Sequence, residues 1–351
     1  MTADGSERPP RRTRYPGKNP RNFHERYKEL QPERYPDEVA HVAARGRTPA
    51  GTHRPIMVKE ILNLLAPRPG DFAVDCTLGY GGHAQELLQA IQPNGRLLGM
   101  DADPLQLPKT EARLRALNCP EESLIVRRMN YAGISQAVLA ESPEGADVIL
   151  ADLGLSSMQI DDPDRGFTFK SDGPLDMRLN PQHGQPVSSM LSKLSEKELA
   201  RILELNADEP QSVRLAGVIL DAHAEYPFKT TTDLANVVTE FVRSRRNRSE
   251  DDVKQTLRRV FQALRIAVND EFGALEAFLR QLPVCLKPAG RVAILTFHSG
   301  EDRRVKHAFR DGLRDGIYSQ ILEEVMRPSP EEQRANPRSS SAKLRWAVKA
   351  C

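Results

Sequence analysis

The chain has 351 residues, 39% of them hydrophobic, enough for one large domain or two modest ones with buried cores. Lys and Arg number 50 against 48 acids, a net charge of +2, so charge must be read locally rather than from the total. Four cysteines (76, 119, 285 and 351) stand far apart with no C-x-x-C pair, which speaks against a zinc site or disulfide framework and fits a reducing cytoplasm. No apolar run approaches the roughly 20 residues that a membrane-crossing helix needs, and the N-terminus lacks the apolar stretch of a secretory signal.

Residues 1–52 carry Arg and Pro in place of aliphatics, as in "RPPRRTRYPGKNPRNFHERYKELQPERYP". Such a segment cannot bury enough apolar surface to order itself, so a basic, disordered arm is expected, either a plain tail or a weak electrostatic grip on nucleic acid. Its acids, Glu25, Glu29, Glu33, Asp37 and Glu38, are too many for a transit peptide.

From His53 onward a β/α alternation is predicted: helix near 57–66, strand 72–76, helix 82–91, strand 96–101, helix near 104–117 and strand 124–127. The apolar run at 146–151, closed by Asp152, has the continuous hydrophobicity of a strand buried on both faces. Strands spaced by helices imply a mostly parallel, doubly wound sheet, whose ligands sit at the carboxyl ends of the strands. Residues 161–254 lose the strand signal and read as helical, charged segments, an inserted helical subdomain between core segments 53–160 and 255–351. One long amphipathic helix is expected to carry Leu257, Phe261, Leu264, Val268, Phe272 and Leu279. Strands at 290–298 and in "AKLRWAVKA" complete the sheet.

The stretch "AVDCTLGYGGHAQELL" joins the first strand to the next helix through Gly79, Gly81 and Gly82, an arrangement that brings main-chain N–H groups close to a ligand. Asp101 ends the second strand about 20 residues on, placed to accept both ribose hydroxyls of an adenosine moiety. A dinucleotide and S-adenosylmethionine both satisfy this pattern. Asp75, a carboxylate just before the turn, favours S-adenosylmethionine, whose ammonium end it can reach. His83 offers an imidazole and a main-chain N–H to the same end, or faces water. Tyr131 follows the third strand, where an aromatic can cover the adenine or simply pack.

Asp152 ends the fourth strand beside the methyl donor. Methyl transfer from a sulfonium is an in-line displacement governed by positioning, and an exocyclic base amine gains nucleophilicity when a carboxylate accepts its N–H bonds. Asp152 can do this, anchor the donor's ammonium, or cap the following turn. Gln159, seven residues on, can face the same cleft.

The stretch "DLGLSSMQIDDPDRGFTFKSDGPLDMR" (152–178) closely resembles the signature of the small-subunit ribosomal RNA cytosine-N4 methyltransferases, the RsmH (MraW) family. "HRPIMVKEIL", "TLGYGGH", "FQALRIAVNDE", "GRVAILTFHSGEDRRVK" and "NPRSSSAKLRWAVK" resemble its other segments in the same order. The resemblance implies a class I methyltransferase fold and methylation of N4 of a decoding-centre cytidine in 16S ribosomal RNA by S-adenosyl-L-methionine. Its partner would be that RNA or the small subunit, and its place the cytoplasm; oligomeric state stays open. Carried over by motif, the donor site uses Gly81, Gly82, His83, Asp101, Tyr131, Asp152 and Gln159. Departures are Met158 for proline, Gly300 for leucine, "NADEP" (206–210), Tyr131 for phenylalanine, and the arm, which has no counterpart in the pattern.

A cytidine amine inside a helix is out of reach, so the base must be splayed into a pocket. Arg165, Lys170 and Arg178 alternate with Phe167 and Phe169, cations for phosphates beside rings for bases, or else packed rings and solvated charges. "RSRRNRSEDDVKQTLRR" (243–259) is a basic cluster able to meet phosphate or to end a helix. His298 borders the cleft, as a pocket-shaping residue or else as a general base, the first favoured because the methylated amine can lose its proton to water. Glu301 and Arg303 are expected to pair locally, with His298 and Arg303 also candidate RNA contacts.

Overall fold

The structure, a computed structural model, describes residues 55–117 and 119–351, so the expected arm at 1–52 lies outside the described residues. Seven strands form one sheet in the order β3-β2-β1-β4-β5-β7-β6. They are β1 (Phe72–Asp75), β2 (Arg96–Asp101), β3 (Leu124–Arg128), β4 (Ala146–Asp152), β5 (Leu286–Thr296), β6 (Tyr318–Ile321) and β7 (Lys343–Lys349). β3, β2, β1, β4 and β5 run parallel, while β7 lies antiparallel to β5 and β6 antiparallel to β7.

Alternation within each strand builds the two cores. Val74, Ile149 and Ile294 face one side with Phe278 and Val305; Ala73, Val148 and Ala293 face the other with Leu87 and Leu114. The first side is covered by α4 (Ile134–Glu141), α11 (Glu271–Cys285) and α12 (Ser299–Arg314). The second is covered by α1 (Val58–Leu65), α2 (Gly82–Ala90) and α3 (Leu107–Arg115).

After β4 come the short α5 (Ser157–Asp161) and α6 (Val187–Leu191), then α7 (Glu196–Ala207), α8 (Ser212–Glu225), α9 (Thr231–Arg243) and α10 (Glu250–Asn269). α7, α9 and α10 each open on a capping box (Ser195 with Glu198, Thr230 with Asp233, Ser249 with Asp252), satisfying N–H groups that a helix start leaves orphaned. These helices close a separate apolar cluster around Leu203, Leu215, Val238 and Phe261.

The structure departs from the sequence reading in four places. The 254/255 boundary falls inside α10, whose Val253, Leu257, Val260 and Leu264 belong to the helical cluster. The single long amphipathic helix is two: Asp270, at φ 47° in the left-handed region, caps α10 and starts α11 at an angle. β6, a four-residue edge strand, went unread, and β5 begins at Leu286, ahead of the expected 290.

Candidate active site

The carboxyl ends of β1, β2 and β4 lie side by side, because β1 pairs in parallel with both neighbours, and strand ends of such sheets are where ligands sit. Gly79 donates its N–H to Asp101 Oδ2 at 2.7 Å, and Asp103 donates its N–H to Oδ1 at 2.8 Å, so the carboxylate at the tip of β2 holds the glycine turn in place. Each oxygen retains a further lone pair for a ligand hydroxyl. Burial raises the proton affinity of Asp101 above the usual carboxylate range. From α3, Thr110 donates its hydroxyl to the Gly79 carbonyl, and Arg113 donates to the Tyr80 carbonyl while stacking 3.4 Å over the Tyr80 ring.

Gly81 sits at φ 78°, and a Cβ there would lie 2.9 Å from Thr110 Cγ2. Gly81→Ala therefore adds strain of roughly 1–3 kcal/mol on both counts. The expected outcome is a lowered denaturation midpoint together with weakened donor binding, measured by urea titration and calorimetry; wild-type values for both would refute the cradle.

Asp75 is fully enclosed at the end of β1, its Oδ1 accepting the Thr77 N–H at 3.0 Å, and burial, partly offset by His83, pushes it up to about 6. His83, at the start of α2, is buried; its Nε2 lies 2.9 Å from the Ile56 carbonyl and its Nδ1 3.5 Å from Asp152 Oδ2. The imidazole thus engages the protein rather than water. Burial lowers its affinity for a proton, opposed by the Ile56 hydrogen bond and Asp75.

Asp152 ends β4 with its N–H donated to Thr77 Oγ1 at 2.6 Å. Its side chain is 29% exposed toward the cleft, yet Oδ1 is buried and lacks a hydrogen-bond partner among the described residues. Burial, reinforced by Glu301, pushes this carboxyl up to about 7. An acceptor atom held dry and unpaired is costly unless a ligand completes it.

Gln159 closes a capping box with Ser156 and donates from Nε2 to Asp103 Oδ2 at 2.8 Å, so the structure ties it to the neighbouring acid. Asp103 is the residue that sequence reasoning missed. Only 1% exposed, it accepts the Leu105 N–H and pairs with Arg165 Nη1 at 2.9 Å. Burial works against its charge, but Arg165 and Gln159 hold it below the usual carboxylate range. Arg165 also donates to the Leu179 carbonyl and is itself 10% exposed, so it braces the loop and is not presented to phosphate.

Other candidates are likewise redistributed. Phe167 is buried in the helical cluster, and Phe169 packs edge-on against Phe261 at 5.3 Å, which leaves the packing role in place of base stacking. Arg178 forms a two-pronged pair with Asp176, both contacts at 2.7 Å. Lys170 is exposed. Arg303 does not pair with Glu301; it reaches Asp208, inside the departing "NADEP" stretch, at 2.9 Å, and Ser299 donates to the same carboxylate.

Glu301 instead accepts the N–H of Phe297 at 2.8 Å and lies 3.1 Å from His298 Nε2. Glu271, Glu301 and His298 approach within 4.8 Å of one another, and Arg265 offsets the charge of Glu271 by gripping both its oxygens at 2.7 and 2.8 Å. Tyr131 packs its ring edge-on against Phe278 at 5.4 Å, and burial, with Glu271 nearby, raises its hydroxyl's proton affinity. At Gly300 a Cβ would meet Phe272 Cζ at 2.5 Å, so glycine there makes room for the Phe272 ring, which carries Arg304 stacked at 3.6 Å.

A sheet in this order, with a glycine turn after β1 and acids at the tips of β1, β2 and β4, defines a Rossmann-like methyltransferase of class I. The chain belongs to the MraW methylase family, which matches residues 50–350. It is 47% identical over 346 residues to a protein of Alkaliphilus metalliredigens named ribosomal RNA small subunit methyltransferase H 2, covering 98% of this chain and 99% of that one. It is also 47% identical over 342 residues to ribosomal RNA small subunit methyltransferase H 1 of Lachnoclostridium phytofermentans, covering 97% of this chain and 93% of that one. Among solved structures, a putative rRNA-methylase from Clostridium thermocellum aligns with a TM-score of 0.39 at 12% identity, over 85% of this chain and 99% of that chain. The Alkaliphilus alignment leaves only 2% of the chain unmatched, so most of the arm does have a counterpart in that relative, contrary to expectation.

Proposed function

We propose that this enzyme methylates the exocyclic N4 of a cytidine in the decoding centre of small-subunit ribosomal RNA, using S-adenosyl-L-methionine, in the cytoplasm. The observation that carries this reading is 47% identity across 98% of the chain to a protein named ribosomal RNA small subunit methyltransferase H 2. The donor supplies an electrophilic methyl group on a cationic sulfur. The residues present fit such a ligand: the buried Asp152 Oδ1 has no hydrogen-bond partner among the described residues, and Asp101 stands at the tip of β2 beside the glycine turn.

Gly79, Gly81 and Gly82 admit the donor's close approach, Asp101 accepts its ribose hydroxyls, Tyr131 borders its purine side, and Gln159 supports the floor through Asp103. His83 and Asp75 stabilise the amino-acid end. Asp152 accepts an N–H of the cytidine amine, which localises the nitrogen lone pair toward the methyl carbon. Displacement then depends on alignment and exclusion of water, which a floor of fixed carboxylates and backbone amides supplies.

The helical segment 161–254 serves as the substrate-recognition subdomain on this reading. Lys170, Arg303 and the cationic stretch at 243–259 supply phosphate contacts to a loop whose target base is splayed out, and His298 shapes the base pocket. Nucleoside mass spectrometry of ribosomal RNA from cells with and without the protein tests the assignment. N4-methylcytidine should vanish in its absence and return on complementation; an unchanged level refutes it.

A further inference from the structure

Two neighbouring groups in the cleft floor have to share a proton. The Ile56 carbonyl can only accept a hydrogen bond, so His83 Nε2, 2.9 Å away, carries the ring's N–H. The lone pair of Nδ1 is then turned toward Asp152 Oδ2 at 3.5 Å. A lone pair facing a carboxylate is repulsive, and a proton between them makes it attractive.

We propose that Asp152 and His83 hold one proton between them in the donor-free protein, that the cationic methyl donor displaces it on binding, and that the vacated pair recovers the proton shed by the methylated amine. This deepens the function proposed above and rests on it. The balance closes over one cycle. The nitrogen lone pair forms the new N–CH3 bond, the S–CH3 pair returns to sulfur as a neutral thioether, and the surplus amine proton passes to Asp152. The pair is then in its starting state, and the proton of the overall reaction has already left at donor binding.

The surroundings favour a pair that is neutral overall. Asp75 from β1, Glu86 from α2 and Glu332 near α1 face His83, and Glu301 from α12 faces Asp152. A second negative charge in this setting is unfavourable, whereas a cation arriving in the cleft reverses that preference. Burial, which pushes Asp152 up to about 7 and lowers His83, points the same way, with the proton residing on Asp152 and facing Nδ1 at 3.5 Å.

Calorimetry of the full-length protein in two buffers of different ionisation enthalpy reads this directly, with S-adenosylmethionine and its demethylated thioether, S-adenosylhomocysteine, as ligands. At about pH 6.5 the sulfonium should release about one proton per molecule bound, declining toward none by about pH 8, and the thioether far less. An Asp152→Asn variant should release none with either ligand. In a nitrogen-edited NMR titration of the donor-free protein, the His83 ring should keep its Nε2–H tautomer in the wild type. Buffer-independent heats for the sulfonium, equal release with both ligands, or an Nδ1–H tautomer of His83 overturns the proposal. No heat from either ligand overturns the donor assignment itself, and the proposal with it.

Discussion

Asp152→Asn is expected to lower the rate of methyl transfer by about 10²–10³-fold, the usual loss when one preorganised charge facing the reacting atoms is removed. The same change should make the protein more stable at high pH. A carboxyl raised from 3.8 to about 7 by folding favours the native state fully below the unfolded value and loses that contribution as pH climbs through about 7. The size is up to about 4 kcal/mol, less some solvent screening of a side chain that is 29% exposed. Asparagine keeps the shape without the charge. Wild type and variant should therefore melt close together near about pH 4.5, and the variant several degrees higher near about pH 8.5. Scanning calorimetry at the two pH values, with a single-turnover methylation assay, checks both halves; a variant with full turnover, or one melting lower at the alkaline end, refutes the assignment of Asp152.

Arg165→Met should be among the most destabilising single substitutions in the chain, by about 3–5 kcal/mol, because it leaves Asp103 charged, 1% exposed and without its cation. The companion change Asp103→Leu in the same molecule should restore much of the loss, since two apolar groups replace a buried ion pair at little net cost. Urea denaturation of the single and double variants measures the coupling. Donor affinity is expected to fall in the double variant, because leucine at 103 keeps the backbone N–H donated to Asp101 but removes the carboxylate that accepts from Gln159 Nε2. If Arg165→Met unfolds at the wild-type urea concentration, the pair is ornamental.

The elements most legible in the sequence are those whose burial repeats along the chain. β1, β2 and β4 were readable because both faces are covered, which makes their apolar runs unbroken, and the glycine turn because its strained backbone demands particular residues. Asp101 and Asp152 were placed by strand ends alone. Partners across distant sequence were not readable. Arg165 and Arg178 look like free cations beside aromatic rings, and only the folded chain brings Asp103 to the first, 62 residues away, while the second bends back on Asp176 two positions earlier. The Ser156–Gln159 capping box could have been found from its spacing, and would have moved Gln159 from the ligand side toward a supporting role. The break at Asp270 left no mark in the helical period, because the apolar positions continue through it. β6 is four residues at a sheet edge with half its side chains exposed, too short and too polar to stand out.

The lateral ties at the strand tips bear on how the enzyme meets its ligands. Thr77 clasps the Asp152 amide from the turn after β1, Asp101 clasps the Gly79 amide from β2, and Asp103 fastens Gln159 and Arg165 beside them. With those joints already closed, little configurational freedom remains to be lost when small molecules arrive, and affinity is set by complementarity rather than by rearrangement. Recognition of this kind should show modest heat-capacity change on association and near-identical crystallographic positions for the floor residues in empty and occupied states. On the function proposed above, adaptation to a large, irregular polymer falls to the helical layer, where Asp208 meets Ser299 and Arg303 through solvent-exposed contacts that ionic strength can loosen.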